Sequence, residues 1–254
     1  MSLLIKALLN EVHAKYVVGV TATPQRQDGH QPIIFMQAGP IRHVVASASQ
    51  QQFEQRVITK LFHYLPPPEM TQSETRLHIA DVYRWLMTHA ERNQQIIDDV
   101  VKAVNDQRNP IVLTERREHA LLLAELLAVK GISFEVLRGG MKAKERKAAM
   151  DSLDDTQVLI ATGKYIGEGF DLPKLDTLFL ALPISWKGSL TQYAGRIHRQ
   201  TEGKDKVIIY DYVDNSLPML QRMFQRRKKG YDALGYTITG SQTDSLVQAP
   251  LILN

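Results

Sequence analysis

Residues 158–173 read Val-Leu-Ile-Ala-Thr-Gly-Lys-Tyr-Ile-Gly-Glu-Gly-Phe-Asp-Leu-Pro. The opening run, 158–161, is apolar at every position and too short for a helix. A strand with no polar alternation is buried on both faces, which is the condition of a parallel sheet covered by helices. It discharges into a loop bearing Gly163, Gly167 and Gly169, with Asp171 beside them. Glycines allow close backbone approach or positive φ, and the C-terminal end of a parallel strand is where open α/β sheets bind ligands.

The pattern repeats outward in both directions. Upstream lie a basic helix at 141–153, Gly139-Gly140, a strand at 132–137, and a leucine-rich helix closed by Gly131 in a C′ position. Before them come a strand at 111–114 (IVLT) and a long helical stretch over about 77–106. Pro66-Pro67-Pro68 must stop the strand expected at 57–64. Downstream, strands at 177–182 and 207–212, the second ending the sheet, alternate with helices from Ser189 and from Ser216 to Leu234. The last of these starts near Pro218, where a helix tolerates proline. Residues 46–56, rich in Ser and Gln, read as a linker, and 239–254 as a loose tail. Ahead of the linker are a helix at 3–13, a buried strand at 16–20 and a short apolar run at 33–36. The fold class is therefore α/β with a mainly parallel sheet.

Composition narrows the function. The 254 residues carry 31 basic and 27 acidic side chains, a net charge of +4, and 44% are hydrophobic. So small an excess does not by itself mark a nucleic-acid binder, although local clustering can. There is no cysteine, which excludes disulfides and thiolate metal sites and suits a reducing, cytoplasmic setting. No apolar run reaches membrane-spanning length, so no membrane partner is expected. The eight histidines show no metal-ligand spacing. Met1-Ser2-Leu3 opens directly on a helical pattern, as a cloning scar would.

Three segments carry chemistry, each with an ordinary reading beside it. Thr21-Ala22-Thr23-Pro24 follows the strand at 16–20 and also suits a plain strand exit. Residues 161–173 also suit a βα loop with an Asp cap, and they are not a Walker phosphate loop, since Tyr165 follows Gly163-Lys164. In 192–199, QYAGRIHR, Arg196 and Arg199 share a helical face and could grip a phosphate, or both could be solvated. Two basic clusters add to these. Arg138, Lys142, Lys144, Arg146 and Lys147 face a single acid, Glu145, and Arg222, Arg226 and Lys229 recur along the last helix with Arg227 and Lys228 beside them. Either could equally be a solvated basic face. Trp85 and Trp186 could stack bases or simply pack.

Taken together, the three segments resemble superfamily 2 helicases from about residue 10 to 235. TATP resembles their motif III, ATGKYIGEGFDLP motif V and QYAGRIHR motif VI; IVLT resembles motif IV and RGGMKAKER motif IVa. The resemblance implies a three-layer RecA-like (P-loop NTPase-like) domain preceded by the tail of a first RecA-like domain. Residues 1–45 would be that tail, 46–240 the second domain and 241–254 a tail. It implies ATP and Mg²⁺ in the parent motor, the Mg²⁺ held by the first domain, because neither G-x-x-x-x-G-K-[ST] nor D-E-x-[HD] occurs here. The fragment alone is then expected not to turn ATP over.

By the same resemblance Arg199 is the arginine finger, and Arg196 and Gln192 assist at the phosphates and the attacking water. Gly167, Gly169 and Asp171 lie on the nucleotide's ribose side. Thr21 and Thr23 couple nucleotide state to the track, and Thr162, Arg138, Gly139, Lys142, Lys144 and Arg146 touch the phosphodiester backbone. The implied partners are nucleic acid, DNA ahead of RNA, the first RecA-like domain, and a nuclease or restriction module. A non-catalytic nucleic-acid- or partner-binding module on the same fold is the alternative. A dinucleotide or nucleotide-sugar enzyme lacks its G-x-G-x-x-G.

Overall fold

The computed structural model describes Val18, residues 35–36, 39–43, 54–71, 77–163, 172–184, 193–195, 197–199, 201 and 203–241. Chain contacts divide the molecule into two units, 1–50 and 51–254. In the first, Phe35 and Met36 are helical, and the Gly39 N–H donates to the Phe35 carbonyl at 3.0 Å. Val18, expected inside a buried strand, lies outside regular structure and is 82% exposed. A buried parallel strand needs neighbours, and Val18 has none among the described strands. The expected helix at 3–13 lies outside the described residues.

Among the described residues the second unit has seven strands: β1 (Glu54–Phe62), β2 (Pro110–Thr114), β3 (Phe134–Leu137), β4 (Val158–Thr162), β5 (Thr177–Leu180), β6 (Lys206–Asp214) and β7 (Thr237–Ser241). Their order is β3-β4-β2-β5-β6-β1-β7 and every pairing is parallel. Between them run α1 (Pro68–Thr71), α2 (Ile79–Met87), α3 (Ala90–Asn105), α4 (Arg117–Val129), α5 (Ala143–Asp151) and α6 (Pro218–Leu234). None of the described helices is long and apolar enough to cross a membrane.

Alternation along the strands sorts the core into two sides. Ile111, Leu113, Leu159, Ala161, Leu178 and Leu180 face one side, with Ala194, Ile197 and α6's Tyr231 packed on them. Val112, Val158, Ile160 and Phe179 face the other, under Ile96, Ile97 and Val100 of α3 and Leu123 and Leu127 of α4. A third cluster at the strands' C-terminal edge joins α2 (Val82, Trp85, Leu86) to Leu217, Leu220 and Met223. Trp85 is thus a packing residue.

Three expectations change. The long helix of 77–106 is two helices, because Thr88 turns back on α2: its N–H and its hydroxyl both donate to the Trp85 carbonyl, at 3.1 and 2.7 Å. The strand expected from 57 begins at Glu54, inside the expected linker, where Lys206 pairs with the Glu54 carboxylate at 2.9 Å. The sheet also does not end at 207–212. Thr237–Ser241, expected to run into a loose tail, adds an edge strand beside β1.

Candidate functional site

With every strand parallel, their exits share one edge. Thr114-Glu115, Arg138-Gly139, Thr162-Gly163 and Ala181–Ile184 all lie there. Gly163 is held to glycine by space. A Cβ there would sit 2.7 Å from Glu115 Oε1 and inside the contact distance of Tyr193 Oη. The β4 exit therefore packs directly under the first described residue of the 192–199 segment. Burial, then the Glu115 carboxylate, pushes the Tyr193 phenol up to about 12, so it stays protonated.

The backbone leaving β5, which leads toward 192–199, is gripped from both sides of the sheet. The Ala181 carbonyl accepts from Arg92 Nη1 at 2.7 Å, the Pro183 carbonyl from the Tyr83 hydroxyl at 2.8 Å, and the Ile184 carbonyl from Arg227 Nη1 at 2.9 Å. Three side chains thereby answer carbonyls that have left the strand ladder.

Residues 193–195 and 197 are helical and amphipathic: Tyr193, Ala194 and Ile197 are buried, while Gly195 and Arg199 are exposed. Gly195, in the helix, and Arg199, in the bend just after it, are both exposed. A Cβ on Gly195 would meet no described atom within 4 Å, so packing among the described residues does not demand glycine at this position. His198 stacks on Tyr236 at 5.4 Å between ring centroids and hydrogen-bonds its hydroxyl at 2.6 Å. Burial, then the nearby Lys204 charge, pulls the His198 pKa down to about 4.

The basic segment follows β3. The Arg138 guanidinium folds onto its own turn and donates to the Gly139 carbonyl at 3.4 Å. The Lys142 N–H donates to Glu145 Oε2 at 3.1 Å, so the one acid of the segment closes the first turn of α5. Lys142, Lys144 and Lys147 are exposed, Arg138 and Arg146 half-buried. Thr162 ends β4 and is 9% exposed. Gln192, Arg196, Gly167, Gly169, Asp171, Thr21, Thr23 and Trp186 lie outside the described residues.

Residues 87–201 match the family model for the helicase conserved C-terminal domain. Over those residues the chain is a helicase conserved C-terminal domain. Transcript termination protein A18 of fowlpox virus is 24% identical over 217 residues, 80% of this chain and 45% of its own length. Protein 108L of invertebrate iridescent virus 3 is 41% identical over 81 residues, 32% of this chain and 73% of its own. The T4 UvsW crystal structure superposes with a TM-score of 0.55 at 16% identity, covering 74% of this chain and 41% of that one, a likeness of fold. The chain spans 45% or less of the first four curated relatives it matches.

Several residues that shape the helicase domain's edge escaped the sequence reading. Arg227 stood in a run of cations, yet it shares the inward stripe of Leu220, Met223 and Tyr231 and is 2% exposed. Its partner was signalled by Asp211, a carboxylate on the apolar strand β6 that needs a buried cation. Arg92, Tyr83, Glu115, Lys204 and Tyr236 carried no local signal, because their partners are distant in sequence.

Proposed function

We propose that this chain is the second motor half of a nucleic-acid-stimulated ATPase, a helicase or translocase. ATP and Mg²⁺ bind between it and a first RecA-like domain. Mg²⁺ and the phosphate loop belong to that first domain; this chain supplies the arginine finger, Arg199, assisted by Arg196 and Gln192. The supporting observation is the amphipathic split of 193–199, which buries Tyr193, Ala194 and Ile197 and leaves Arg199 exposed beside an open Gly195. Glycine weakens a helix by about 1 kcal/mol. Its value there lies in letting an outside group come close to the backbone next to a guanidinium. The exposed lysines of 142–147 suit a phosphodiester backbone, each contact releasing counterions.

A fixed guanidinium facing the leaving γ-phosphate stabilises charge that grows in the transition state. Arg199→Ala in the full protein is therefore expected to lower turnover by roughly 10³–10⁵-fold, with ATP affinity nearly kept. Arg199→Lys restores little, since a point charge does not reproduce the planar fork. Steady-state ATPase at saturating single-stranded DNA or RNA, with nucleotide-binding and melting controls, is the measurement. Normal turnover in Arg199→Ala removes the finger; a collapsed melt makes Arg199 a structural residue.

A further inference from the structure

We infer that Lys204 is a positioning residue for the Arg199 finger, a role that rests on the function proposed above. The Lys204 ammonium donates to three backbone carbonyls: Arg199 at 2.6 Å, Pro173 at 2.7 Å and Ile197 at 3.1 Å. An ammonium has three N–H donors, and here each has its own acceptor. Two of those carbonyls stand at the end of the described helix, Ile197 within it and Arg199 in the bend just beyond; the third, Pro173, follows the glycine-bearing stretch of sequence. One side chain thus fixes the backbone of the finger and ties it to Pro173.

Local structure brings Lys204 to that point. Its N–H donates to the Thr201 carbonyl at 3.1 Å, closing a four-residue turn with Gly203 at φ +82°. That conformation belongs to glycine, and it folds the chain back under the helix it has just left. The last carbonyls of a helix have no partner within it, and a cation there also answers the negative end of its dipole. Without the ammonium, three carbonyls lose their donor, and Arg199 is left on a backbone free to fray.

The test is Lys204→Met, which keeps the length and loses the donors, in the full protein. Turnover falls on the order of 10- to 100-fold, because a finger displaced by about 1 Å misses the developing charge. KM for ATP stays within about 3-fold, since the loss is confined to the transition state. Hydrogen exchange across 193–201 quickens while β2 and β4 keep their protection. Lys204→Arg rescues little, because a planar fork does not converge on three carbonyls as a tetrahedral ammonium does. Should Lys204→Met not fold, Lys204→Gln, which keeps a donor for part of the set, carries the same readouts. Unchanged turnover and exchange, with Arg199→Ala inactive, overturns the role of Lys204 and leaves the finger standing. Equal losses of turnover, ATP affinity and melting temperature make Lys204 merely structural and overturn it as well. Normal turnover in Arg199→Ala removes the finger and its positioning together.

Discussion

Two arginines are buried on opposite faces of the sheet, and both reach the backbone that leaves β5. Arg227, on α6, is 2% exposed; Arg92, on α3, is fully buried. Arg227 holds Asp211 with two parallel hydrogen bonds, Nε at 2.8 Å and Nη2 at 3.0 Å, and the Tyr231 hydroxyl donates to the same carboxylate at 2.8 Å. Burial works against its charge, yet Asp211 and Tyr231 hold its pKa above the ordinary arginine value. Arg92 has the Ala181 carbonyl, while its Nε and Nη2 find no hydrogen-bond partner among the described residues. Burial pulls its pKa down to about 10, with Tyr64, Asp214 and Tyr212 opposing. Equal depth therefore does not mean equal worth. One arginine is half of a compensated pair; the other is a desolvated charge with one carbonyl contact and the face of Tyr212, 5.8 Å away.

The largest effect should come from Arg227→Met. It leaves Asp211 buried without its cation, and such a loss costs about 3–5 kcal/mol. Denaturant unfolding measures it, and a loss below about 1 kcal/mol would erase the contrast between the two arginines.

The Arg92 side should be the one that acid weakens. His119 is fully buried beneath it; its Nδ1 accepts from the Thr114 hydroxyl at 2.9 Å, and Nε2–H donates to Asn93 at 3.0 Å. That assignment follows from Asn93 Nδ2 being occupied with the Met87 carbonyl. Burial, then the Arg92 charge, lowers the His119 pKa from 6.5 to about 3. The fold refuses a proton that the unfolded chain accepts. The stability this confers is complete above pH 6.5 and drains away as pH falls toward 3. Between pH 7 and 5 His119 accounts for a loss of about 2 kcal/mol. His119→Gln should flatten the dependence; an unchanged slope would place the acid sensitivity elsewhere.

The smallest change belongs to Arg92→Met, expected within about 1 kcal/mol of the parent and with a gentler acid slope. A loss as large as that of Arg227→Met would show that the Ala181 carbonyl matters more than the buried charge.

The sheet was legible because its strands are uniformly apolar and its helices amphipathic, so local period alone separates them. The 192–199 segment stood out because its residue types recur at fixed spacing. What escaped was of another kind. Thr88 breaks a helix through a hydroxyl that sequence period ignores, and β7 is a short polar strand that forms only because β1 offers it an edge. Lys204, Tyr83 and Arg92 act on backbone carbonyls, which every residue has, so no sequence pattern announces their targets.

The pairing of β1 bears on how the chain assembles. Glu54 lies against Lys206 and Arg56 against Thr237, so the first described strand of the larger unit is flanked by the last two described. On the ribosome β1 emerges with neither neighbour yet made. The strands from β2 to β5 can pair among themselves while β1 waits for a loop closure spanning most of the unit, which makes its docking slow. Until β6 and β7 arrive, β1 is an unguarded edge open to other chains, the usual route to misassembly of a newborn α/β domain. Once it docks, the start and finish of the unit lie side by side, and a pull on either end meets the same ladder of hydrogen bonds.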